Sequence, residues 1–272
     1  MRIVMPLFDF GYSDLKPFYF SENKLRIEEF NAQEEIPDIS LFSEREVNYM
    51  KSKISWAIVF EDENTVGYKE KVNLLLLSFR ILSEGKPPFI KYRLCKEDNK
   101  ERTRLNDTMT YIHEFEKIFL SYSNNDLKKI DEGFKALKEM YEVSTRCHNA
   151  LYFLFLSFQT IQWVSSFMFL MNTLEAISSK DESGGATKTI CKRVSSFLDL
   201  YYYYKYIKKL YDIRSCIVHG KIVASDEASE NLKNLACLRD IVLECMKKIL
   251  NEKIYLKFKD KQTRDAYLNT LT

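Results

Sequence analysis

The amino-acid sequence predicts a mainly helical protein with a smaller α+β domain at its N-terminal end. Glycine and proline are scarce, at 7 and 5 among 272 residues, and this scarcity favours long helices over short strands joined by tight turns. Alternating and β-branched runs occur in the first hundred residues, whereas apolar residues at helical spacing dominate from there to about residue 250. We therefore predict a mixed domain at 1–104, a helical bundle at 105–250 and a basic tail at 251–272.

Composition is typical of globular proteins, since 46% of the residues are hydrophobic and 29% are charged. The formal net charge is only +2, so the whole chain gives no argument for nucleic acid, and charge has to be considered locally. The six cysteines have neither the density of a secreted disulfide scaffold nor the paired spacing of a zinc site. They predict reduced thiols in a cytoplasmic protein, and the apolar run before Phe10 is too short to predict a signal peptide.

In the N-terminal domain, turn and capping signals separate short strands from helices. Ser43 and Glu46 have the spacing of a capping box, which predicts a helix start, and Gly85 stands where a helix would end before Pro87. The charged run at 96–104 predicts the linker to the next domain. The predicted elements are, in order, a hairpin at 18–27, a short helix from 43, a strand at 54–60, a helix at 69–84 and a strand at 89–94.

In the helical domain, caps and glycines delimit stretches with helical spacing of apolar residues. Asn125 and Asp126 are predicted to cap one helix, and Gly220 stands where a left-handed residue closes another. A glycine-containing loop is predicted at 181–186. Besides an uncharged segment, helices are predicted at 108–122, 127–141, 188–200, 202–218 and 228–250.

The uncharged segment runs from Asn149 to Leu174, and 16 of the 22 residues at 150–171 are apolar. This length could span a bilayer, but six Ser, Thr and Gln side chains in its middle would need partners within lipid. We therefore favour one long helix, or two joined near Gln159 and Thr160, buried in a bundle core or in a dimer seam. Membrane association through 150–171 is the weaker alternative.

The usual catalytic motifs are missing from the sequence. It has no metal-ligand spacing, glycine-rich phosphate loop or nucleophile-elbow serine, so neither a metal nor a cofactor is predicted. The remaining candidate is Arg214 with His219, since a guanidinium can bind a phosphate and an imidazole can exchange a proton near neutral pH. An ideal helix separates these residues by about 140°, so a loosened final turn would have to bring them into one pocket. A histidine at a helix C-terminus is also favoured simply by the helix dipole.

The run Tyr211-Asp-Ile-Arg-Ser-Cys-Ile-Val-His-Gly220 resembles the signature of HEPN domains, in particular of their Apea-like branch. Leu174-Glu-Ala-Ile177, at the end of an apolar helix, resembles the second helix of that branch. The helix with Lys192 and Arg193 resembles its third helix. The resemblance covers residues 126–250 and is specific at the Arg-Ser-x-x-Val-His-Gly run.

The resemblance implies a helical bundle that dimerises, with the Arg and His motifs of two protomers facing each other across a cleft that cleaves RNA without metal. Arg214 would then stabilise the transition state, and His219 would act as general acid or base. Ser215 stands where the family commonly has Asn, Asp or His, which keeps a non-catalytic HEPN-like RNA-binding or dimerisation module as the alternative. The family also implies bacterial anti-phage defence or a toxin, with a regulatory partner or antitoxin.

Local charge agrees with an RNA partner, because residues 188–221 hold eight basic and two acidic side chains. Tyrosines in the same stretch are predicted either to stack on unpaired bases or to pack the bundle. Glu175 is isolated in an apolar region and is predicted either to support the site by pairing with Arg193 or Arg214, or to face water. The predicted RNA-binding residues are Lys192, Arg193, Lys205, Lys208, Lys209, Lys221 and Tyr211.

Overall fold

The computed structural model describes residues 2–14, 16–21, 24–36, 42–62, 67–83, 87–97, 100–106, 121–160, 162–180, 186–199, 203–222 and 229–271. Over these residues the chain is mainly helical and includes a small antiparallel sheet, which confirms the predicted fold class at this level. The chain divides into two compact units. Unit 1 comprises Met1–Thr110 with Phe115–Lys135, and unit 2 comprises Tyr111–Glu114 with Ala136–Thr272.

The described strands all belong to unit 1. They are β1 (Arg2–Phe8), β2 (Gly11–Tyr12), β3 (Phe18–Tyr19), β4 (Leu25–Glu29), β5 (Trp56–Glu61), β6 (Phe89–Ile90), β7 (Tyr92–Glu97), β8 (Lys100–Asn106) and β9 (Ser121–Tyr122). The sheet has the order β3-β4-β5-β1-β7-β8 with antiparallel neighbours, β6 also pairs with β1, and β2 pairs with β9 separately. The predicted hairpin at 18–27 is confirmed by β3 and β4, which pair Phe18 with Ile27.

Three helices and the first part of a fourth complete unit 1. They are α1 (Ala32–Glu35), α2 (Glu44–Lys53), α3 (Tyr68–Leu82) and the beginning of α4 (Asn124–Val143). The predicted capping box of α2 is confirmed, because Ser43 Oγ accepts from the Glu46 N–H and the Glu46 carboxylate accepts from the Ser43 N–H. At Gly133 of α4, an added Cβ would lie 2.1 Å from Leu82 Cδ1, so the Leu82 side chain occupies the space that a larger residue at position 133 would need.

A second reciprocal cap opens α4. Ser123 Oγ accepts from the Asp126 N–H at 3.3 Å, and the Asp126 carboxylate accepts from the Ser123 N–H at 2.9 Å. The predicted cap at Asn125 and Asp126 is therefore placed too late, since the capping hydroxyl precedes both residues. The hydrogen bond from the Ser123 backbone holds the pKa of Asp126 below its usual value.

The predicted linker at 96–104 is wrong, since most of these residues belong to two paired strands. Tyr92–Glu97 and Lys100–Asn106 form the antiparallel pair β7 and β8, with β8 at one end of the strand order. An edge strand tolerates a high density of charge, because charge discourages pairing with other chains. The strand was not predicted because its charged sequence lacks the alternation of apolar and polar residues that is typical of a buried strand.

Unit 2 is helical throughout its described residues. Its helices are the remainder of α4, then α5 (Thr145–Gln159), α6 (Trp163–Ser178), α7 (Ala186–Phe197), α8 (Tyr203–Val218), α9 (Ser229–Asn251), a 3₁₀ helix (Ile254–Phe258) and α10 (Lys261–Asn269). The helices predicted at 127–141, 188–200, 202–218 and 228–250 are confirmed as α4, α7, α8 and α9. Most of the helix predicted at 108–122 lies outside the described residues, and its last two residues form β9.

The uncharged segment forms α5 and α6, so of the two predicted alternatives the structure has two helices joined near residue 160 and not one long helix. The Ser166 hydroxyl donates to the Ser157 carbonyl at 2.7 Å, and the Ser157 hydroxyl donates to the Leu154 carbonyl at 2.6 Å. The serines in the middle of the segment thus find acceptors within the helix pair. Among the described residues, no helix combines the length and apolar character that crossing a membrane requires.

Residues after 253, predicted as part of a tail, form ordered helical structure within unit 2. Four apolar side chains of this stretch are buried, and the Tyr255 hydroxyl donates to Glu139 Oε2 at 2.5 Å. The segment therefore contributes to the core of the helical unit. Its apolar residues predict this burial when they are considered apart from the lysines between them. The four buried side chains are Ile254, Tyr255, Phe258 and Leu268.

Candidate functional site

The C-terminal end of α8 carries both predicted catalytic residues. Gly220 follows His219 and has φ +67°, and its N–H donates to the Ile217 carbonyl at 3.1 Å. The N–H of Lys221 donates to the Cys216 carbonyl at 2.8 Å. Together these bonds form a Schellman motif, whose left-handed position favours glycine. The predicted role of Gly220 is confirmed, whereas the loosened final turn is not observed.

This regular helix end fixes the directions in which Arg214 and His219 project. Five residues of an α-helix correspond to about 140° of rotation and roughly 7.5 Å of rise. Within the described residues, no hydrogen bond or ion pair joins the two side chains. The Arg214 side chain is 31% exposed and His219 is exposed, so both are accessible. On regular helix geometry the two side chains project from different faces of this helix end, and one shared pocket within the chain stays a prediction.

Glu175 of α6 lies against Arg214. Its Oε2 is 3.4 Å from Arg214 Nη2, so of the two predicted partners the structure selects Arg214 and not Arg193. Arg214 Nε is buried and has no hydrogen-bond partner among the described residues. One long contact leaves most of the five guanidinium donors unused, so Glu175 orients the side chain without saturating it.

The buried side chain of Tyr211 lies close to both members of this ion pair. Burial, and then the negative charge of Glu175, raises the pKa of the Tyr211 hydroxyl, while Arg214 acts in the opposite direction. The hydroxyl has no hydrogen-bond partner in the part of the chain that the structure describes. Because Tyr211 is only 5% exposed, its predicted role in RNA binding is wrong, and its ring packs the bundle instead.

Arg193 is likewise wrongly predicted to bind RNA, since it is only 4% exposed. Its Nη1 donates to the Ser178 carbonyl at 2.9 Å, and its Nε donates to the Leu268 carbonyl at 3.2 Å. A buried guanidinium held by carbonyls is a structural element. Arg193 therefore connects α7 to the end of α6 and to α10.

The remaining predicted RNA-binding residues are all exposed lysines. One of them, Lys209, forms an exposed ion pair with Glu230 at 3.0 Å, which contributes little and leaves the ammonium accessible. The predicted supporting residue Ser215 is also exposed, and its carbonyl accepts the His219 N–H at 3.0 Å. The exposed lysines are Lys192, Lys205, Lys208, Lys209 and Lys221.

Arg146, for which sequence analysis makes no prediction, binds the end of α6 beside Glu175. Its Nη1 donates to the carbonyls of Ala176 and Ser179, each at 3.1 Å. A cation at the start of one helix thus satisfies the last carbonyls of the next helix, where the helix dipole is negative. The one available signal was the position of Arg146 as the last charge before the uncharged segment.

Among the described residues, no group of three or more His, Cys, Asp or Glu side chains is arranged to hold a metal ion. Comparisons of the chain with protein-family profiles, with curated proteins and with solved structures give no match. The end of α8 and the motif that it carries are therefore the features of this chain that bear on function.

Proposed function

We propose that this chain is a metal-independent endoribonuclease of the HEPN type, with an active site composed from two copies of the chain. The observation that carries the proposal is the end of α8, where accessible Arg214 and His219 project from a closed helix end and Glu175 orients the guanidinium. Such a pair combines a phosphate-binding cation with a proton carrier, which are the two functions that cleavage through the ribose 2′-hydroxyl requires.

In the proposed reaction, the ribose 2′-oxygen forms a bond to the adjacent phosphorus while the bond from phosphorus to the 5′-oxygen breaks. One imidazole accepts the proton of the 2′-hydroxyl, and a second imidazole donates a proton to the departing 5′-oxygen. The guanidinium of Arg214 binds the non-bridging oxygens as negative charge develops on them. The products are a 2′,3′-cyclic phosphate and a 5′-hydroxyl.

Two copies of the chain are proposed because one copy directs Arg214 and His219 about 140° apart. A two-fold axis beside the α8 end brings the arginine of one protomer towards the histidine of the other. An isologous interface repeats each contact, so both imidazoles needed for the acid and base steps come from the same residue number. His219 therefore supplies both proton transfers.

A surface suited to this interface runs along α6 and ends at Glu175. Phe169 on this surface stacks on Phe153 of α5, with ring centroids 6.4 Å apart, and the neighbouring Tyr152 is 52% exposed. Apart from Glu175 at its end, this surface is uncharged and partly apolar, which is typical of protein interaction sites. Its residues on α6 recur at helical spacing and are half-buried; they are Val164, Ser165, Met168, Phe169, Asn172, Glu175 and Ala176.

A non-catalytic module that binds RNA or dimerises is the second candidate. The exposed Ser215 favours it, since this position commonly holds Asn, Asp or His in the proteins that the motif resembles. Under this candidate, the wild type binds RNA without cutting it, and His219→Ala binds RNA as tightly as the wild type.

The test is a cleavage assay on single-stranded RNA with EDTA present, comparing the wild type with Arg214→Ala and His219→Ala. We expect the wild type to cut and each variant to lose at least about a hundredfold in rate, as general acid–base catalysis and charge stabilisation predict. Equal cutting by all three proteins would identify a contaminating nuclease and remove the proposed site.

We further propose, from the same resemblance, that the chain acts in bacterial anti-phage defence or as a toxin and is restrained by a regulatory partner or antitoxin. Expression in bacterial cells measures this directly, because RNA cleavage halts growth. The wild type is expected to arrest growth and His219→Ala to leave growth normal, whereas equal growth of both would contradict the toxin role.

A further inference from the structure

A cleft of about 650 Å³ opens between α8 and α9, within unit 2. This volume lies in the range of pockets that hold nucleotide-sized ligands. Ile241, which is 4% exposed, and Leu198 line it with apolar surface. Arg214 and His219 are not among the described lining residues, so the cleft is separate from the site already described.

Two tyrosine rings line the α8 side of the cleft. Tyr203 and Tyr206 are three residues apart, and both are only half-buried. The Tyr206 hydroxyl lies 3.5 Å from Asn234 Oδ1 on α9, a long contact. Half-buried rings beside an apolar wall provide a surface on which a planar base can stack.

The two helices carry opposite charges into the cleft. Lys205 and Lys209 are one turn apart on α8, and Asp240 and Glu244 are one turn apart on α9. Lys209 already pairs with Glu230, but Lys205 and Glu244 have no ion pair among the described residues. The cleft therefore has a cation on one side and a carboxylate on the other. It suits a ligand that has both an anionic group and hydrogen-bond donors.

Guanine nucleotides have this combination of groups. The Watson–Crick edge of guanine presents two adjacent N–H donors, which one carboxylate can accept together. Adenine, cytosine and uracil each place an acceptor beside the donor on that edge, so a carboxylate meets at least one repulsive contact. The phosphate of the nucleotide complements the lysine side.

We propose that the cleft between α8 and α9 binds a guanine nucleotide of an unpaired RNA strand, with the base on Tyr206, its donor edge on Glu244 and its phosphate at Lys205. The identification of RNA as the source of the nucleotide rests on the proposed function. The same helix supports it, because Arg214 follows Tyr206 by eight residues, a rise of roughly 12 Å along α8, with exposed lysines between them.

The experiment measures binding, not cleavage, by fluorescence anisotropy in the presence of EDTA. All proteins carry His219→Ala, and the probes are a labelled uridine decamer and the same decamer with one central guanosine. We expect the guanosine strand to bind about tenfold tighter, as a bidentate base contact predicts. Replacing guanosine by inosine, which lacks the exocyclic amine, reduces this preference.

Three variants assign the contacts. Glu244→Gln is expected to abolish the preference for guanosine, and Tyr206→Leu to weaken binding of the guanosine strand about tenfold, whereas Tyr206→Phe retains its ring and its affinity. Glu142→Gln is the matched control, because Glu142 is an exposed carboxylate that does not line the cleft. Thermal unfolding of each variant verifies that it folds.

Equal affinity for the two strands, or a preference that survives Glu244→Gln, would overturn the proposal. Competition by guanosine monophosphate alone, as strong as that by the guanosine strand, would assign the cleft to a free nucleotide and also overturn the RNA source. If the chain binds guanosine selectively but the wild type never cuts RNA, the guanine site in the cleft is supported and the proposed nuclease activity is wrong. If the wild type cuts RNA but binds both strands equally, the nuclease activity is supported and the guanine site is wrong.

Discussion

Arg214 contacts Glu175 through Nη2 at 3.4 Å and its Nε is buried, so a phosphate would be bound bidentately by the two terminal nitrogens, Nη1 and Nη2. Arg214→Lys retains the positive charge but loses this bidentate geometry. We expect the single-turnover rate of RNA cleavage to fall at least about tenfold, since an ammonium acts on phosphate only as a point charge.

Arg45→Lys is the matched control, because Arg45 is exposed on α2 and has no ion pair among the described residues. If Arg214→Lys cut RNA at the wild-type rate, positive charge alone would be sufficient, and a bidentate contact would not be part of the mechanism.

At the residue scale, the sequence predicted the helix end at Gly220 but not which neighbours of the motif are buried. The charge of Arg193 predicts an RNA contact, yet its carbonyl acceptors on Ser178 and Leu268 lie 15 and 75 residues away in the chain. Tyr211 was assigned on its ring, yet α6 brings Glu175 beside it. Partners so distant in sequence leave no local pattern, so a single sequence could not have indicated them.

At the scale of elements, the closure of α8 depends on one glycine. Gly220 has φ +67°, and an added Cβ would meet nothing within 4 Å, so a side chain there is opposed by backbone strain alone. Gly220→Ala is expected to lower the free energy of unfolding by about 1 kcal/mol, because L-residues are strained in the left-handed region. Urea unfolding followed by circular dichroism measures the change.

Gly220→Asn provides the comparison, since asparagine tolerates the left-handed conformation better than alanine. Its loss of stability should be the smaller of the two. A Gly220→Ala protein as stable as the wild type would indicate that the helix end can close without the Schellman motif.

The cap of α4 makes the folding stability of the chain depend on pH. The pKa of Asp126 is lowered in the folded chain by the Ser123 backbone hydrogen bond, so the unfolded chain binds a proton more readily. The resulting stabilisation is complete above the ordinary aspartate pKa of about 3.9 and is lost as the pH falls through the lower folded value. Asp126→Asn should therefore be less stable than the wild type at pH 6.

Melting temperatures across pH 6 to 2.5 test this prediction, with Glu132→Gln as control, since Glu132 is an exposed carboxylate on the same helix. The gap between the wild type and Asp126→Asn should narrow below a pH of about 3.9. A gap that stays constant with pH would mean that the Asp126 charge does not contribute to the cap.

Elements with local signals were predictable, and those defined by distant pairing were not. The capping box of Ser43 and Glu46 predicts the start of α2 from four consecutive residues. The polar run near Thr160 predicts the break between α5 and α6. The strand Lys100–Asn106 carries charges that suggest solvent, and only its partner Tyr92–Glu97 and its place in the sheet define it.

At the scale of the whole molecule, the proposed activity requires two chains. Met168 lies on the half-buried uncharged surface of α6, so Met168→Lys would place a charge inside the proposed interface. We expect this variant to sediment as a monomer and to lose RNA cleavage, while its melting profile stays close to that of the wild type because the site is on the surface.

Glu142→Lys introduces the same side chain on the exposed face of α4 and should remain a dimer with full activity. A monomeric wild type that cuts RNA at every protein concentration would contradict the composite site. The sequence indicated a dimer only through its resemblance to HEPN domains and through the uncharged segment, because an isologous surface leaves no motif of its own.

Arg193 makes the last residues of the described chain indispensable to the middle of unit 2. One of its carbonyl acceptors belongs to Leu268 in α10, and the Arg193 side chain is buried. A protease that removed everything after Asp260 would expose apolar surface and take away the Leu268 carbonyl that accepts from Arg193 Nε. Trimming at one extremity would thus loosen α7, far upstream in the chain.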